Sequence, residues 1–325
     1  MALSLPDLDR LERDKLVDSR GISFKELRRS LKPNYLRVWF DIVAGYVVLG
    51  LIIAGVIWLD TAYPRAFPFI AVGGGLCIGY TLAYTQLFFH EAAHFNLARR
   101  RALNDFLADA VLGAITGQSI KAYRVVHMDH HRLLGTTADT EHSYFDALRP
   151  RFLIEGLTGV RLLRVILGRR QHVGAKSESR ADVASGARRM LALGLLINLA
   201  ILALAFWSRC WSLFFAWPFG MVVVLPAVTS LRQLLEHRSF DAASSVDYHA
   251  VDHGANTRMF GSGPIASTLG GAGFNRHLLH HWDPQLSYTA FPKLEAFLLD
   301  TEAAPIIARA TTTYGRALIR LMQAP

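Results

Sequence analysis

The chain has 325 residues, of which 52% are hydrophobic and only 19% charged, against about 25% charged in an ordinary soluble domain. Its two cysteines, Cys77 and Cys210, exclude a disulfide scaffold, a four-cysteine iron–sulfur cluster and a cysteine-based zinc fold. The net charge of +9, from 35 Lys+Arg against 26 Asp+Glu, leaves both nucleic acid and membrane open as partners until the charges are placed along the chain.

The opening MALSLPDLDRLERDK has no apolar run ahead of its charges, so no signal peptide is expected, and the first 35 residues read as a solvated tail rather than a headgroup-binding helix. Four later stretches are apolar over nearly the 20 or so residues that a bilayer requires: Ile42–Leu59, Phe67–Phe89, Met190–Ser208 and Trp211–Leu231. The last contains Pro218 and Pro226, which a membrane helix tolerates where neighbours satisfy the freed backbone groups. Short turns at 60–66 and 208–210 join the stretches into two hairpins. Arg65 and Arg209 are the only basic residues in those turns, and the other 33 lie on one side, which the positive-inside rule makes cytoplasmic. The charge is therefore a topology signal, and no nucleic-acid partner is expected.

The shorter apolar pieces Phe106–Ile120 and Phe152–Leu167 are too short or too charged to span. The second mixes Arg161 and Arg164 with Leu and Ile, as an interfacial helix does, and the polar, small-residue segment 171–189 reads as an exposed loop. The expected fold is an all-α membrane protein. It has a cytoplasmic N-terminal segment (1–41), an integral-membrane domain (42–300) of four transmembrane helices in two hairpins under a cytoplasmic helical cap, and a cytoplasmic C-terminal helix (301–325).

Thirteen histidines are present, and eight fall in three clusters: H-E-A-A-H (His90, His94), H-M-D-H-H (His127, His130, His131) and H-L-L-H-H (His277, His280, His281). On a helix the i, i+3 and i+4 positions share one face, so each cluster aims two or three imidazoles in one direction. All three map to the cytoplasmic side. So many close imidazoles repel one another if protonated and need partners if neutral, and metal binding resolves both difficulties. Eight ligands exceed the four of a zinc site and suit two metals with open positions. His237, in R-Q-L-L-E-H-R just beyond the fourth span, is the candidate ninth ligand; His249 and His253, also i, i+4 but in a loop-like segment, rank below it, and His142 and His172 read as surface residues. Glu91, Asp129, Glu236 and Asp139 are candidates to accept the second ring N–H of a ligating histidine, and Asn275 to hold a water or a ligand.

Together these boxes resemble those of the membrane fatty-acid desaturase superfamily, three-histidine-box enzymes that carry H-x(3–4)-H, H-x(2–3)-H-H and H-x(2–3)-H-H. The flanks are similar too: R-A-L-N-D (Arg101 to Asp105), H-H-R-L-L-G-T-T-A-D (His130 to Asp139) and F-N-R-H-L-L-H-H-W-D-P (Phe274 to Pro284), with Glu236-His237-Arg238 resembling the extra histidine that commonly precedes the third box. The resemblance covers roughly residues 35–300; the departure is the 40-residue step from His237 to His277. It implies two non-haem iron ions and O₂-dependent removal of hydrogen from a lipid acyl chain, leaving a double bond. The nearest alternative is a hydroxylase or ketolase of the same fold acting on a carotenoid, sphingolipid or alkyl chain; a more distant one is a non-oxidative zinc membrane protein. Soluble di-iron bundles rely on carboxylates, whereas a shell of neutral imidazoles adds no negative charge and leaves the metals strongly electrophilic, as an unactivated C–H bond demands. The chain carries no H-P-G-G cytochrome b5 signature and too few cysteines for a rubredoxin or ferredoxin fusion. A separate electron donor such as a ferredoxin, a rubredoxin or cytochrome b5 is therefore expected, docked by the basic face. Aromatics near Phe88 and Phe89 are candidates to line a substrate tunnel.

Overall fold

A lipid-exposed backbone must satisfy its own N–H and C=O groups, and the four apolar runs accordingly become helices. The structure is a computed structural model that describes residues 5–164 and 180–324. Helices α1 (Tyr35–Ala62) and α2 (Phe67–Ala93) contain the first two runs. Next, α3 (Arg101–Leu107) continues through a π-helical turn, Ala108–Gly113, to Thr116, and α4 (Ile120–Leu133) carries the second histidine box. After α5 (Pro150–Leu157), α6 (Arg180–Trp207) holds the third run, and the fourth is α7 (Trp211–Pro218), a π turn at Phe219–Val224 and α8 (Leu225–His237). The remainder includes α9 (His277–Trp282), which carries the third box, α10 (Phe291–Leu299), α11 (Ala304–Ala310) and α12 (Tyr314–Met322). Among the described residues there is no strand, only isolated bridges at Val17–Ser23 and Met259–Thr311.

Four segments are long and apolar enough to cross a membrane: Tyr35–Ala62, Pro64–Ala93, Asp182–Trp207 and Trp211–His237. Each overruns the apolar run expected from sequence, because hydropathy marks where lipid contact is tolerable whereas a helix ends at its caps. The loop expected at 171–189 is corrected over its second half: residues 180–189 are the first turns of α6, in which Ala and Arg extend an existing helix at little cost. Residues 171–179, with His172 among them, lie outside the described residues, as does the end of Phe152–Leu167. The C-terminal segment, expected as one helix, forms α11 and α12; between them Thr312 N–H donates to the Met259 carbonyl at 2.8 Å.

The chain divides into two units. One, Trp39–Met128 with Pro150–Ser230, contains most of the spanning helices. Its core packs Leu49 and Val56 of α1, Ile78 and Leu82 of α2, Ala205 of α6, and Leu213, Ala216 and Trp217 of α7. The spans through α2 and α7–α8 are the more buried, at 39% and 44% against 22% for α1 and 11% for α6, so the latter two turn most of their apolar surface outward. Leu51, Leu196, Leu204 and Trp207 are exposed accordingly, an arrangement that is stable only in lipid. Asp60 at the end of α1 accepts the Ser212 N–H at 3.1 Å, capping the start of α7.

Hydrophobicity does not hold helices together inside a bilayer, so close contact must, and glycines supply it. At Gly79 a Cβ would lie 2.4 Å from Val224 Cβ and 2.6 Å from the Gly220 carbonyl oxygen, and at Gly75 2.9 Å from the Ala216 carbonyl oxygen. The π turn after Pro218 places Gly220 in that contact. Gly79→Ala should therefore destabilise the protein by about 1–3 kcal/mol through overpacking, read as a lower midpoint of thermal unfolding in detergent; Gly73→Ala, where the added methyl meets nothing within 4 Å, is the control.

The other unit comprises Met1–Val38, Asp129–Arg149 and Leu231–Pro325. Its core includes Phe24, whose ring lies 5.0 Å from that of Trp282, with Phe291, Leu294 and Leu298. Ion pairs Arg28–Asp283 (2.5 Å) and Arg276–Glu295 (2.6 Å) fix the flanks of α9, and Arg13 Nη2 donates to the Trp282 carbonyl at 2.7 Å.

Candidate metal centre

In the spanning unit the first box sits at the end of α2, where the last helical carbonyls need partners. Asn104 Nδ2 donates to the Ala92 carbonyl at 2.9 Å, and Arg124 donates to the Ala93 and Ala92 carbonyls at 2.8 and 3.1 Å. Asp105 holds the Arg124 guanidinium at 2.5 Å. The R-A-L-N-D segment thus locks the turn bearing His90 and His94, and Arg124 ties that turn to the helix carrying His127. Phe95, just past the helix, has a φ of 62°, a left-handed conformation usual for glycine at a helix end, with the Arg124 guanidinium 3.9 Å above its ring. The result is a three-imidazole group: His94 Nε2 lies 2.8 Å from His127 Nε2, and the His90 ring is centred 4.3 Å from that of His127. Tyr123 stacks on His127, and Phe89 packs against Tyr123. Phe88 and Phe89 are buried packing residues. Glu91, fully buried, accepts from Asn96 Nδ2 at 3.2 Å and lies 3.9 Å from His90 Nδ1.

In the second unit six more histidines gather from three helices: His130 and His131 of α4, His237 at the end of α8, and His277, His280 and His281 of α9. His277 Nε2 stands 3.0 Å from His237 Nε2 and 3.2 Å from His281 Nε2, and His280 Nε2 is 2.9 Å from His131 Nε2. Candidate ligand atoms of His130, His237 and His281 lie within 4.8 Å of one another, as do those of Glu236, His237 and His277. Glu236, 1% exposed, places Oε2 3.7 Å from His277 Nε2 and pairs with Arg232 at 3.5 Å.

Two of these rings are held by their second nitrogen. His130 Nδ1 lies 2.8 and 3.0 Å from the two oxygens of buried Asp139, and His237 Nδ1 donates to the Asn256 carbonyl at 2.9 Å. Asp139 in turn accepts from the Tyr144 hydroxyl at 2.6 Å and the Glu141 N–H at 2.9 Å. Each bond leaves Nε2 directed toward the other rings, as metal-ligating imidazoles require. Burial disfavours the charged form of His130, but Asp139 and Glu141 outweigh it and raise its pKa to about 9. That negative field also favours a divalent cation at Nε2. Burial drives His94, His277 and His281 well below the usual imidazole range, reinforced at His277 by His237 and His280 and at His281 by His131 and His277. All three are neutral, as metal ligands must be.

The donor set fits metal ions. Two nitrogens bound side by side to one ion at about 2.1 Å lie about 3 Å apart, the spacing of the four Nε2 pairs above. A simple N–H···N bond explains one such pair, but His277 Nε2 meets two other Nε2 atoms at once. Three nitrogens that converge on a point are arranged for an ion.

The remaining sequence candidates lie elsewhere. Asp129 is 38% exposed and bound to Arg132 at 2.7 Å, and Asn275 Nδ2 donates to the Gly261 carbonyl at 2.7 Å. His253 Nε2 donates to the Tyr144 hydroxyl at 2.9 Å while its ring stacks on Tyr248; His249 is exposed, and His142 packs against Phe145. Sequence reasoning missed Tyr144 and Asn256. Tyr144 stands only five residues after Asp139, but Asn256 acts through its backbone carbonyl, which has no sequence signature.

A helical protein with four membrane-length apolar helices and buried imidazoles converging through Nε2 is an integral membrane protein built for metal binding. The family model described as fatty acid desaturase matches residues 66–308, and the chain belongs to that family. It is thereby an oxidoreductase of the lipid-acting desaturase fold. A comparison with curated proteins finds no match.

Proposed function

We propose that the protein introduces a double bond into the acyl chain of a membrane lipid with O₂ as oxidant, using two iron ions held by His90, His94, His127, His130, His131, His237, His277, His280 and His281. The observation that carries this reading is the mostly imidazole donor set, beside which Glu236 lies 3.7 Å from His277 Nε2 and Glu141 4.0 Å from His130 Nε2. Iron so bound supplies an O₂-dependent oxidant for C–H bonds. The chain's own residues orient and shield it: Asp139 and Asn256 fix His130 and His237, Asn104 and Arg124 fix the turn carrying His90 and His94, and burial keeps His94, His277 and His281 neutral. With 33 of 35 basic residues outside the short turns, the termini and the histidines lie on the cytoplasmic side, and electrons arrive from a separate acidic carrier protein.

The test is expression with a reductant partner and lipid profiling by mass spectrometry against His280→Ala. Loss of two hydrogens from an acyl chain, absent in the variant, is the expected result; a gain of one oxygen would reassign the protein to hydroxylation. Metal analysis of the purified chain should give two irons. Zinc alone in an active preparation would sink the iron assignment.

A further inference from the structure

The second unit contains a cavity of about 560 Å³ that the histidine centre does not use. Its walls are the segment following His237, residues 256–258, and the C-terminal helices α11 and α12. Four arginines line it, Arg258, Arg309, Arg316 and Arg320, against one carboxylate, Asp241. Arg258 is 3% exposed; its guanidinium donates to the Leu235 carbonyl at 2.8 Å and to the Arg238 carbonyl, and stacks 3.8 Å from the Phe240 ring. Arg320 approaches the same ring at 4.4 Å, so two cations share one aromatic ring. Among the described residues Arg309, Arg316 and Arg320 form no ion pair, and Thr312 and Ser239 add hydroxyls to the wall, while the Thr311 hydroxyl donates to the Ile307 carbonyl at 2.7 Å. Burial and the neighbouring Arg320 lower the Arg258 pKa to about 9, the direction expected where cations crowd with too little negative charge to balance them.

We propose that this cavity is a binding site for a phosphate group. Arginine forks match phosphate geometry and give charge-assisted bonds, and the hydroxyls complete the donor set. The phosphate has two possible sources. On α12, Ile319 and Met322 are 55% and 60% exposed beside Arg316 and Arg320, the pattern of a helix lying at a lipid interface, so a lipid headgroup is one source and a soluble phosphate compound the other. Asn256, in the cavity wall, also holds His237 through its carbonyl, so an occupant sits one hydrogen bond from an imidazole of the metal centre. The proposal holds whichever lipid that centre acts on.

The test is calorimetric titration of inorganic pyrophosphate into the full chain in nanodiscs of neutral phosphatidylcholine. Saturable binding is expected, weakened about 10–100-fold in the doubly substituted Arg316→Ala/Arg320→Ala protein, whose two sites are exposed and whose helicity and metal content should be unchanged. Repeating the titration in discs containing phosphatidic acid separates the sources: an unchanged isotherm assigns a soluble phosphate ligand, and a weakened one shows a headgroup already in place. No saturable binding in neutral discs, or equal binding by the variant, overturns the proposal.

Discussion

His277→Ala should lower the metal content of the purified protein and abolish lipid oxidation, while the protein stays folded in detergent. The reason lies in its position: the His277 Nε2 lies 3.0 Å from His237 Nε2 and 3.2 Å from His281 Nε2, with Glu236 3.7 Å away. Alanine leaves those groups buried around a gap with no atom to complete the coordination. Since a structural histidine could also matter for activity, the deciding readout is metal content at unchanged helicity, measured beside His142→Ala, a histidine outside the converging groups. Unchanged metal content in His277→Ala would remove this residue from the ligand set.

Asp139→Asn should weaken metal binding by about 10–100-fold without removing any ligand, the usual loss when the group that orients a ligating imidazole is altered. Asparagine keeps the shape but not the charge, so the field favouring a cation at His130 disappears. Its amide also replaces an acceptor that serves both His130 and Tyr144. Tyr144→Phe separates charge from geometry: the carboxylate keeps its contacts with His130 and the Glu141 N–H and loses the 2.6 Å bond from the hydroxyl, which also accepts from His253 Nε2 at 2.9 Å and the Gly135 N–H at 3.3 Å. That variant should lower stability by about 1.5–3 kcal/mol, the range for a hydrogen bond to a charged group, with a much smaller change in metal affinity. Metal affinity follows from competition with a chelator, stability from thermal unfolding. Equal metal affinities in wild type and Asp139→Asn would contradict a role for this carboxylate in holding His130.

Both predictions draw on a site whose ligand candidates were legible early. Histidine spacing marked which rings share a face, because 3.6 residues per turn is a local property of any helix. The charge pattern and apolar runs likewise indicated four spans, since lipid contact constrains every residue of a segment. Boundaries were less legible: α6 begins ten residues before the apolar run, in a polar stretch rich in Ala and Arg, because adding a turn to an existing helix costs little.

The order of amino acids alone therefore determined the helical, membrane-spanning character of the protein, its three histidine boxes and its surplus of arginine outside the short turns. Folding decided which nitrogen of each ring is engaged and by what. Asp139 reaches His130 across nine residues and the Asn256 carbonyl reaches His237 across nineteen, while Asp129, one residue from His130, turns to Arg132 at the surface. Neighbours in sequence point along fixed helical directions, whereas the partner of a buried Nδ1 is whatever acceptor the packed chain delivers there. The four-arginine cavity arises in the same way, from Arg258 and the two C-terminal helices α11 and α12, which carry Arg309, Arg316 and Arg320.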